Sequence, residues 1–160
     1  MVKKRVYVES SVISFLAAWP SRDDRIRGYQ LHTAAWWERR HEWDCFVSAT
    51  VMMEILRGDP GAAARRLEKA QLLPELPTSP ETGPLARLLL AHELVPEPVG
   101  ADAVHLAAAA IHGMEYLLTW NQKHLDNLVL RSRIEDFIRN QGWRPAKVIT
   151  PERLLLEESR

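Results

Sequence analysis

The sequence has a single cysteine, no net charge and no long apolar run, and each absence narrows what the chain can be. Cys45 is the only cysteine among 160 residues, so an internal disulfide cannot form and a cysteine-based zinc site is not expected. A reducing, cytoplasmic location is the natural expectation. Lys and Arg number 21, as do Asp and Glu, so the chain lacks the net basic charge typical of nonspecific nucleic-acid binders. A local basic face is still compatible with this balance.

Membrane insertion is not expected either. No apolar run approaches the roughly 20 residues that a membrane-spanning helix needs. The basic start MVKKR leads into too few apolar residues before Glu9 to resemble a secretory signal peptide. Hydrophobic residues make up 46% of the chain, which is ordinary for a folded protein. With this length and composition, residues 1–160 are expected to form one domain.

Strand-like and helix-like segments alternate along the chain. Short runs rich in β-branched and aromatic residues predict strands around 6–8, 44–48, 115–121 and 146–150. Helices are predicted directly after Glu9, over about 25–40, 48–57, 61–73, 82–94, 101–112 and 133–141, and from Pro151 onward. The proline-rich segment 74–80 can form at most a short edge strand. Alternation of this kind predicts an α/β domain with a parallel sheet.

Polar side chains fall at four places that an edge of such a sheet could bring together. Glu9 follows the first strand, Glu54 lies on the helix after the second, Asp102 begins an apolar helix and Asn121 follows a later strand. Ligands of open α/β sheets bind outside the carboxyl ends of the strands. Clustered carboxylates can hold Mg²⁺ or Mn²⁺, and such metals support phosphodiester cleavage. Hard cations of this kind select oxygen ligands, so cysteine and histidine are not required.

Each of these residues also has a simpler structural interpretation. Glu9 is equally consistent with a solvated acid at a strand end. Glu54 falls on the polar side of a helical wheel, which favours an ordinary exposed glutamate. Asp102 is first of all an acid that caps a helix or compensates its dipole, and Asn121 is by default a turn residue.

Two histidines and a tryptophan allow weaker interpretations. His105 and His112 lie on the same helix as Asp102, where histidines are more often packed or hydrogen-bonded than catalytic. Trp19 stands beside Pro20 in a polar loop and could stack on a base.

The order of these short motifs resembles the PIN-domain nucleases, most closely the VapC-type toxins of toxin–antitoxin pairs. The segments are Glu9-Ser-Ser-Val after the first strand, VMMEILRG around Glu54, DAVHLAAA from Asp102, and LLTWN ending at Asn121. The resemblance extends from Val6 to about Pro151. The first acid of the family is usually aspartate, and Asn121 stands where the family often has a fourth acid.

The resemblance implies a three-layer α/β/α, Rossmann-like fold with a central parallel sheet of about five strands. It also implies an Mg²⁺- or Mn²⁺-dependent ribonuclease, usually a homodimer, which a cognate antitoxin holds inactive. By position, Glu9, Glu54 and Asp102 would bind the metal and Asn121 would complete the catalytic set. Ser10 and Thr119 would supply hydroxyls that assist the site.

Three functions follow as hypotheses. The first is a metal-dependent ribonuclease, supported by the three acids and by the resemblance. The second is a PIN-like module that binds RNA or a protein without cutting, which the neutral charge and the residues Glu9 and Asn121 favour. The third is a receiver-type regulatory domain, which would need adjacent acids after the first strand. Ser10 and Ser11 stand at that place, so the third is disfavoured.

Overall fold

A parallel sheet flanked by helices forms the centre of the computed structural model, which describes residues 2–95, 100–121 and 128–158. The strands are β1 (Arg5–Val8), β2 (Asp44–Phe46), β3 (Tyr116–Leu118) and β4 (Lys147–Ile149). The helices are α1 (Ser10–Ala17), α2 (Asp24–Glu38), α3 (Ala49–Ile55), α4 (Pro60–Ala70), α5 (Thr82–Ala91), α6 (Gly100–Ile111), α7 (Leu128–Asn140) and α8 (Pro151–Glu158), with a 3₁₀ turn at Arg40–Glu42.

The strands are ordered β2-β1-β3-β4 and every neighbouring pair is parallel, which confirms the predicted α/β class. Strand β1 lies between β2 and β3. Its residues Val6, Tyr7 and Val8 are fully buried, because the strand has a neighbour on each side and helices cover the sheet. Tyr7 points to the face opposite Val6 and Val8, since successive side chains alternate along a strand.

The expected number of strands is wrong: the described residues contain four, rather than about five. Segment 74–80 contributes only an isolated parallel bridge between Val47 and Glu75. Val47 N–H donates to the carbonyl of Pro74, and Leu76 N–H donates to the carbonyl of Val47. Pro74 has no N–H with which to extend the ladder backwards. In the forward direction Ala49 already belongs to α3, so the pairing ends after one bridge.

Several helix ends follow local capping chemistry. Asp23 caps α2 by accepting a hydrogen bond from Ile26 N–H. Asp59 caps α4, which begins at Pro60, so the Gly-Asp-Pro segment starts a helix as well as ending one. Helix α7 begins at Leu128, five residues before the predicted start at 133.

The helices pack in groups around the sheet. Helix α2 contacts both α1 and α8, and α5 packs on α6. The alanines at 107–110 in α6 are all buried, and their small side chains let this helix lie close to β3. Among the described residues, no helix is both long enough and apolar enough to cross a membrane.

The carboxyl ends of β1 and β3 lie side by side. Glu9 N–H donates to the carbonyl of Leu118 over 3.0 Å, so the residues that follow the two strands are neighbours. Helix α3 begins just beyond β2, and α6 contacts both α3 and β3. This arrangement brings residues after β1, after β3, on α3 and on α6 to one edge of the sheet.

Candidate metal centre

Glu9 is held at the junction of β1 and α1 by hydrogen bonds that converge on its carboxylate. It is the N-cap of α1 and accepts from Ser11 N–H over 3.0 Å. The hydroxyls of Ser10, Ser11 and Thr119 donate to the same carboxylate over 2.7, 2.5 and 2.5 Å. The side chain is buried, so the interpretation of Glu9 as a solvated strand-end acid is wrong.

Two of these hydroxyls are themselves fixed by the chain that follows β3. Ser11 Oγ accepts from Trp120 N–H over 2.9 Å, and Thr119 Oγ1 accepts from Asn121 N–H over 2.9 Å. Because each hydroxyl accepts one hydrogen bond, its own proton is directed to Glu9 and the linked bonds polarise one another. The carboxylate of Glu9 is therefore oriented before any ligand binds.

Glu54 is half-buried on α3, not exposed as the helical wheel suggests. Its Oε1 lies 2.8 Å from Nε2 of His105, while the side chains of Met53 on α3 and of Leu56 directly after it are exposed. The wheel fails here because a polar partner from α6 meets Glu54 on the inward side. Burial raises the pKa of the Glu54 carboxyl, but the interaction with His105, with smaller contributions from Ser10 and Arg57, outweighs burial, so its pKa lies below the usual value.

His105 connects Glu54 to the interior of the protein. Its Nδ1 lies 2.6 Å from the hydroxyl of Tyr7, which in turn lies 2.6 Å from Oγ of Ser48. The rings of Tyr7 and His105 meet edge to face, with centroids 5.5 Å apart. Burial is the main reason that the pKa of Tyr7 lies well above its ordinary value, so the phenol keeps its proton at neutral pH.

Glu9, Glu54 and His105 converge at the edge of the sheet. Each offers one ligand atom, and the three atoms lie within 4.8 Å of one another. Two carboxylates this close repel each other unless a cation or proton lies between them. In the described part of the chain, neither carboxylate lies within 4.0 Å of a lysine or arginine nitrogen. The two carboxylates therefore fit a divalent cation.

Asp102 lies outside that group of three, although it belongs to the same edge. It is in the first turn of α6, and both of its carboxylate oxygens lie near Nδ2 of Asn121, at 3.3 and 3.4 Å. Asn121 N–H in turn donates to Thr119, which bonds Glu9. The structure thus joins the four predicted positions in two linked parts: Glu9 with Glu54, and Asp102 with Asn121.

The remaining sequence candidates occupy different places. Ser10 and Thr119 both contact the Glu9 carboxylate, as noted above. Trp19 is 72% exposed, and the guanidinium of Arg65 lies 4.7 Å from its ring centre. His112, seven residues after His105, is not part of the cluster, and its backbone carbonyl accepts from the Arg5 guanidinium.

His105 is the residue whose contribution the sequence interpretation missed. Its position three residues after Asp102, on the same face of the helix, was an available signal. That signal was ambiguous, because nothing local identifies Tyr7 and Glu54 as its neighbours. The contribution of Ser48 was hidden in the same way, since its obvious local task is to cap α3.

Comparison with known proteins supports the fold. No protein-family model and no curated protein sequence matches the chain. Its structure is similar to that of VapC20 from Mycobacterium tuberculosis, which is described as a toxin that cleaves the sarcin–ricin loop. The TM-score is 0.57 at 16% identity, over 74% of this chain and 92% of that one. The described residues therefore have the fold of a VapC-type PIN domain, as the order of short motifs predicts.

Proposed function

We propose that this protein is a metal-dependent endoribonuclease and the toxin of a toxin–antitoxin pair. The observation that carries the proposal is the convergence of Glu9 and Glu54 at the carboxyl edge of a VapC-type sheet. The similarity to a toxin that cleaves the sarcin–ricin loop makes RNA the substrate class to test first.

Glu9, Glu54 and Asp102 are the proposed ligands of Mg²⁺ or Mn²⁺. Bound there, such a cation would stabilise negative charge on phosphate oxygens and lower the pKa of a water molecule that it binds. The hydroxyls of Ser10 and Thr119 donate to the Glu9 carboxylate and fix its orientation. The amide of Asn121 orients Asp102 and contributes no charge of its own.

Cleavage of short labelled RNAs, including a sarcin–ricin loop oligonucleotide, tests the proposal in the presence of Mg²⁺ or Mn²⁺. Replacing Glu9 or Glu54 by Gln, or Asp102 by Asn, is expected to lower the rate about 100-fold or more. The reason is that metal-assisted charge stabilisation contributes several kcal/mol to such reactions. Chelation with EDTA is expected to abolish cleavage in the same assay.

Glu152→Gln is the matched control, because this glutamate is half-exposed on α8 and forms an ion pair with His32, away from the metal centre. It is expected to cleave at the wild-type rate. If Asp102→Asn and Glu9→Gln are also as fast as the wild type, the proposed mechanism is wrong.

A second candidate is a module that binds RNA or a protein without cutting. It is favoured by the environment of Glu9, whose two oxygens already accept four hydrogen bonds, about as many as a carboxylate has lone-pair sites. Calorimetry that detects no Mg²⁺ or Mn²⁺ binding, together with a stable complex in the absence of turnover, would support this candidate over the nuclease.

The proposed partners are a cognate antitoxin and a second copy of the chain, and the proposed location is the cytoplasm. A small adjacent gene for a DNA-binding protein would support the toxin assignment. Co-expression of that gene with this one should give a stable complex and suppress RNA cleavage.

A further inference from the structure

A continuous series of hydrogen bonds leads from the start of α3, through β1 and α6, back to Glu54. Val51 N–H donates to Ser48 Oγ over 3.2 Å. Ser48 and Tyr7 share the next bond at 2.6 Å, and Tyr7 and His105 the one after it, also at 2.6 Å. The last bond joins His105 Nε2 to Glu54 Oε1 at 2.8 Å.

With a neutral imidazole, the carboxylate end of this series determines its direction. A backbone N–H can only donate and an ionised carboxylate can only accept. When the Ser48 hydroxyl donates to Tyr7, and Tyr7 donates to Nδ1 of His105, the imidazole carries its proton on Nε2. That N–H then donates to Glu54. In this arrangement each hydroxyl both accepts and donates, and no polar group of the series is left without a partner.

Because the groups of this series are buried, the arrangement of their hydrogen bonds affects the stability of the protein. Tyr7 is fully buried and His105 is 2% exposed, so water cannot replace a lost partner. An unsatisfied hydroxyl or ring nitrogen at such a place is costly. The direction of the bonds also decides what His105 can do. An imidazole nitrogen that carries a proton has no lone pair for a cation, so Nε2 serves as a donor to Glu54.

We propose that Tyr7 and His105 are positioning residues for the metal centre, and that neither binds the metal itself. Tyr7 holds the imidazole with its proton on Nε2, and this N–H holds the Glu54 carboxylate as an oriented anion facing Glu9. This role rests on the proposed function, because the orientation of Glu54 toward Glu9 is useful only if the two carboxylates bind a cation. All-oxygen ligation then matches the preference of Mg²⁺ and Mn²⁺.

Mn²⁺ affinity measured by calorimetry on the full-length protein is the primary test. Tyr7→Phe removes one buried hydroxyl and leaves the ring in place. It is expected to weaken Mn²⁺ binding about 10–100-fold, the usual consequence of removing a group that orients a metal ligand. Tyr116→Phe is the matched control, because that hydroxyl bonds Glu158 outside the site, and Mn²⁺ binding should be unchanged.

Ser48→Ala separates positioning from simple destabilisation. It removes a bond to Tyr7 and the cap of α3, but leaves the bond from Tyr7 to His105 intact. The variant should therefore lose stability comparable to that lost by Tyr7→Phe while keeping most of its Mn²⁺ affinity. If Mn²⁺ affinity falls in proportion to stability in both variants, the role is merely structural and the proposal fails.

The ring nitrogens of His105 provide a spectroscopic readout that requires neither metal nor activity. Long-range ¹H–¹⁵N NMR of the metal-free protein is expected to show the Nε2–H tautomer, and Tyr7→Phe should make this tautomer less dominant. An Nδ1–H tautomer in the wild type would overturn the proposal. Because the readout is independent of RNA cleavage, a protein with this tautomer and no nuclease activity would contradict only the proposed function.

A comparison of metals tests direct ligation by His105. Imidazole ligands favour Co²⁺ and Zn²⁺ over Mg²⁺, whereas carboxylate ligands have no such preference for the softer cations. His105→Gln keeps a side-chain N–H for Glu54 and is expected to weaken Mg²⁺ and Co²⁺ binding to a similar degree. A selective loss of Co²⁺ binding would show that His105 is itself a ligand and would overturn the proposal.

Discussion

Glu9 and Glu54 lie at the same edge of the sheet, yet different kinds of partner hold their carboxylates. Three of the four bonds to Glu9 come from Ser10 and Ser11, the next two residues in the chain. Glu54 is held by His105, which is 51 residues away and is itself supported by Tyr7 from another element. The first carboxylate is oriented by the local turn, and the second by the packing of α3 and α6 against β1.

This difference indicates how each carboxylate should respond to change. Glu9 has several partners, of which Ser10 and Ser11 are partly exposed, so the loss of one leaves others in place. The partners of Glu54 form a single series of buried groups, in which the loss of one leaves the next unsatisfied. Substitutions in the Glu54 series should therefore cost more stability than substitutions around Glu9.

The largest effect is expected for His105→Ala. The change removes a buried ring, leaves a void and takes the hydrogen-bond partner from Tyr7. Together these should lower the free energy of unfolding by about 3 kcal/mol, measured by urea denaturation. His112→Ala, at a partly exposed position just after the end of that helix, should cost less than about 1 kcal/mol. Equal losses of unfolding free energy in the two variants would contradict the expectation that a buried hydrogen-bond partner contributes more stability than a partly exposed side chain.

An intermediate effect is expected for Thr119→Val, at the residue that connects the two linked parts of the site. The substitution keeps the shape of the side chain but removes the hydroxyl. Glu9 then loses one donor and Asn121 N–H loses its acceptor, which should cost about 1–2 kcal/mol in the same measurement. Thr78→Val, at an exposed position, is the control and should change stability little. A loss no larger than that of the control would mean that the Thr119 bonds contribute nothing to stability.

The smallest effects are expected for the serines beside Glu9. Ser10→Ala should cost less than about 1 kcal/mol, because Glu9 keeps its other donors. Ser11→Ala should cost more than Ser10→Ala, since the Ser11 hydroxyl also accepts from Trp120 N–H. Thermal unfolding of the two variants side by side checks the order. The reverse order would show that the link to Trp120 is unimportant.

Much of the fold was predictable because its signals are local. The strand at 6–8, the buried alanine-rich α6 and the cap at Asp23 follow from periodicity and from capping chemistry within a few residues. The missing fifth strand was signalled only weakly, by prolines that permit an edge strand without excluding one. Whether segment 74–80 pairs as a strand with the chain after β2 depends on where α3 begins. The start of α3 relative to this segment is a property of the folded chain.

The candidate site shows the same distinction between local contacts, which could be predicted, and distant contacts, which could not. Glu9 and its serines are adjacent in the chain, so their convergence required only a correct turn between β1 and α1. The orientation of Glu54 could not be deduced, because the helical wheel counts Met53 and Leu56 as core residues and the structure exposes both. A wheel ranks side chains by polarity alone, whereas a buried histidine on another helix can make the inward position favourable for an acid.

By itself, the sequence determined the alternation of strands and helices, the acid at the end of β1 and the serine hydroxyls beside it. These depend on the backbone preferences and hydrogen bonds of residues close together in the chain. Only the tertiary structure decided that Glu54 faces Glu9, that His105 reaches both Tyr7 and Glu54, and that Asp102 pairs with Asn121. Those contacts join residues far apart in the chain, so they exist only once the helices pack on the sheet and exclude water from between them.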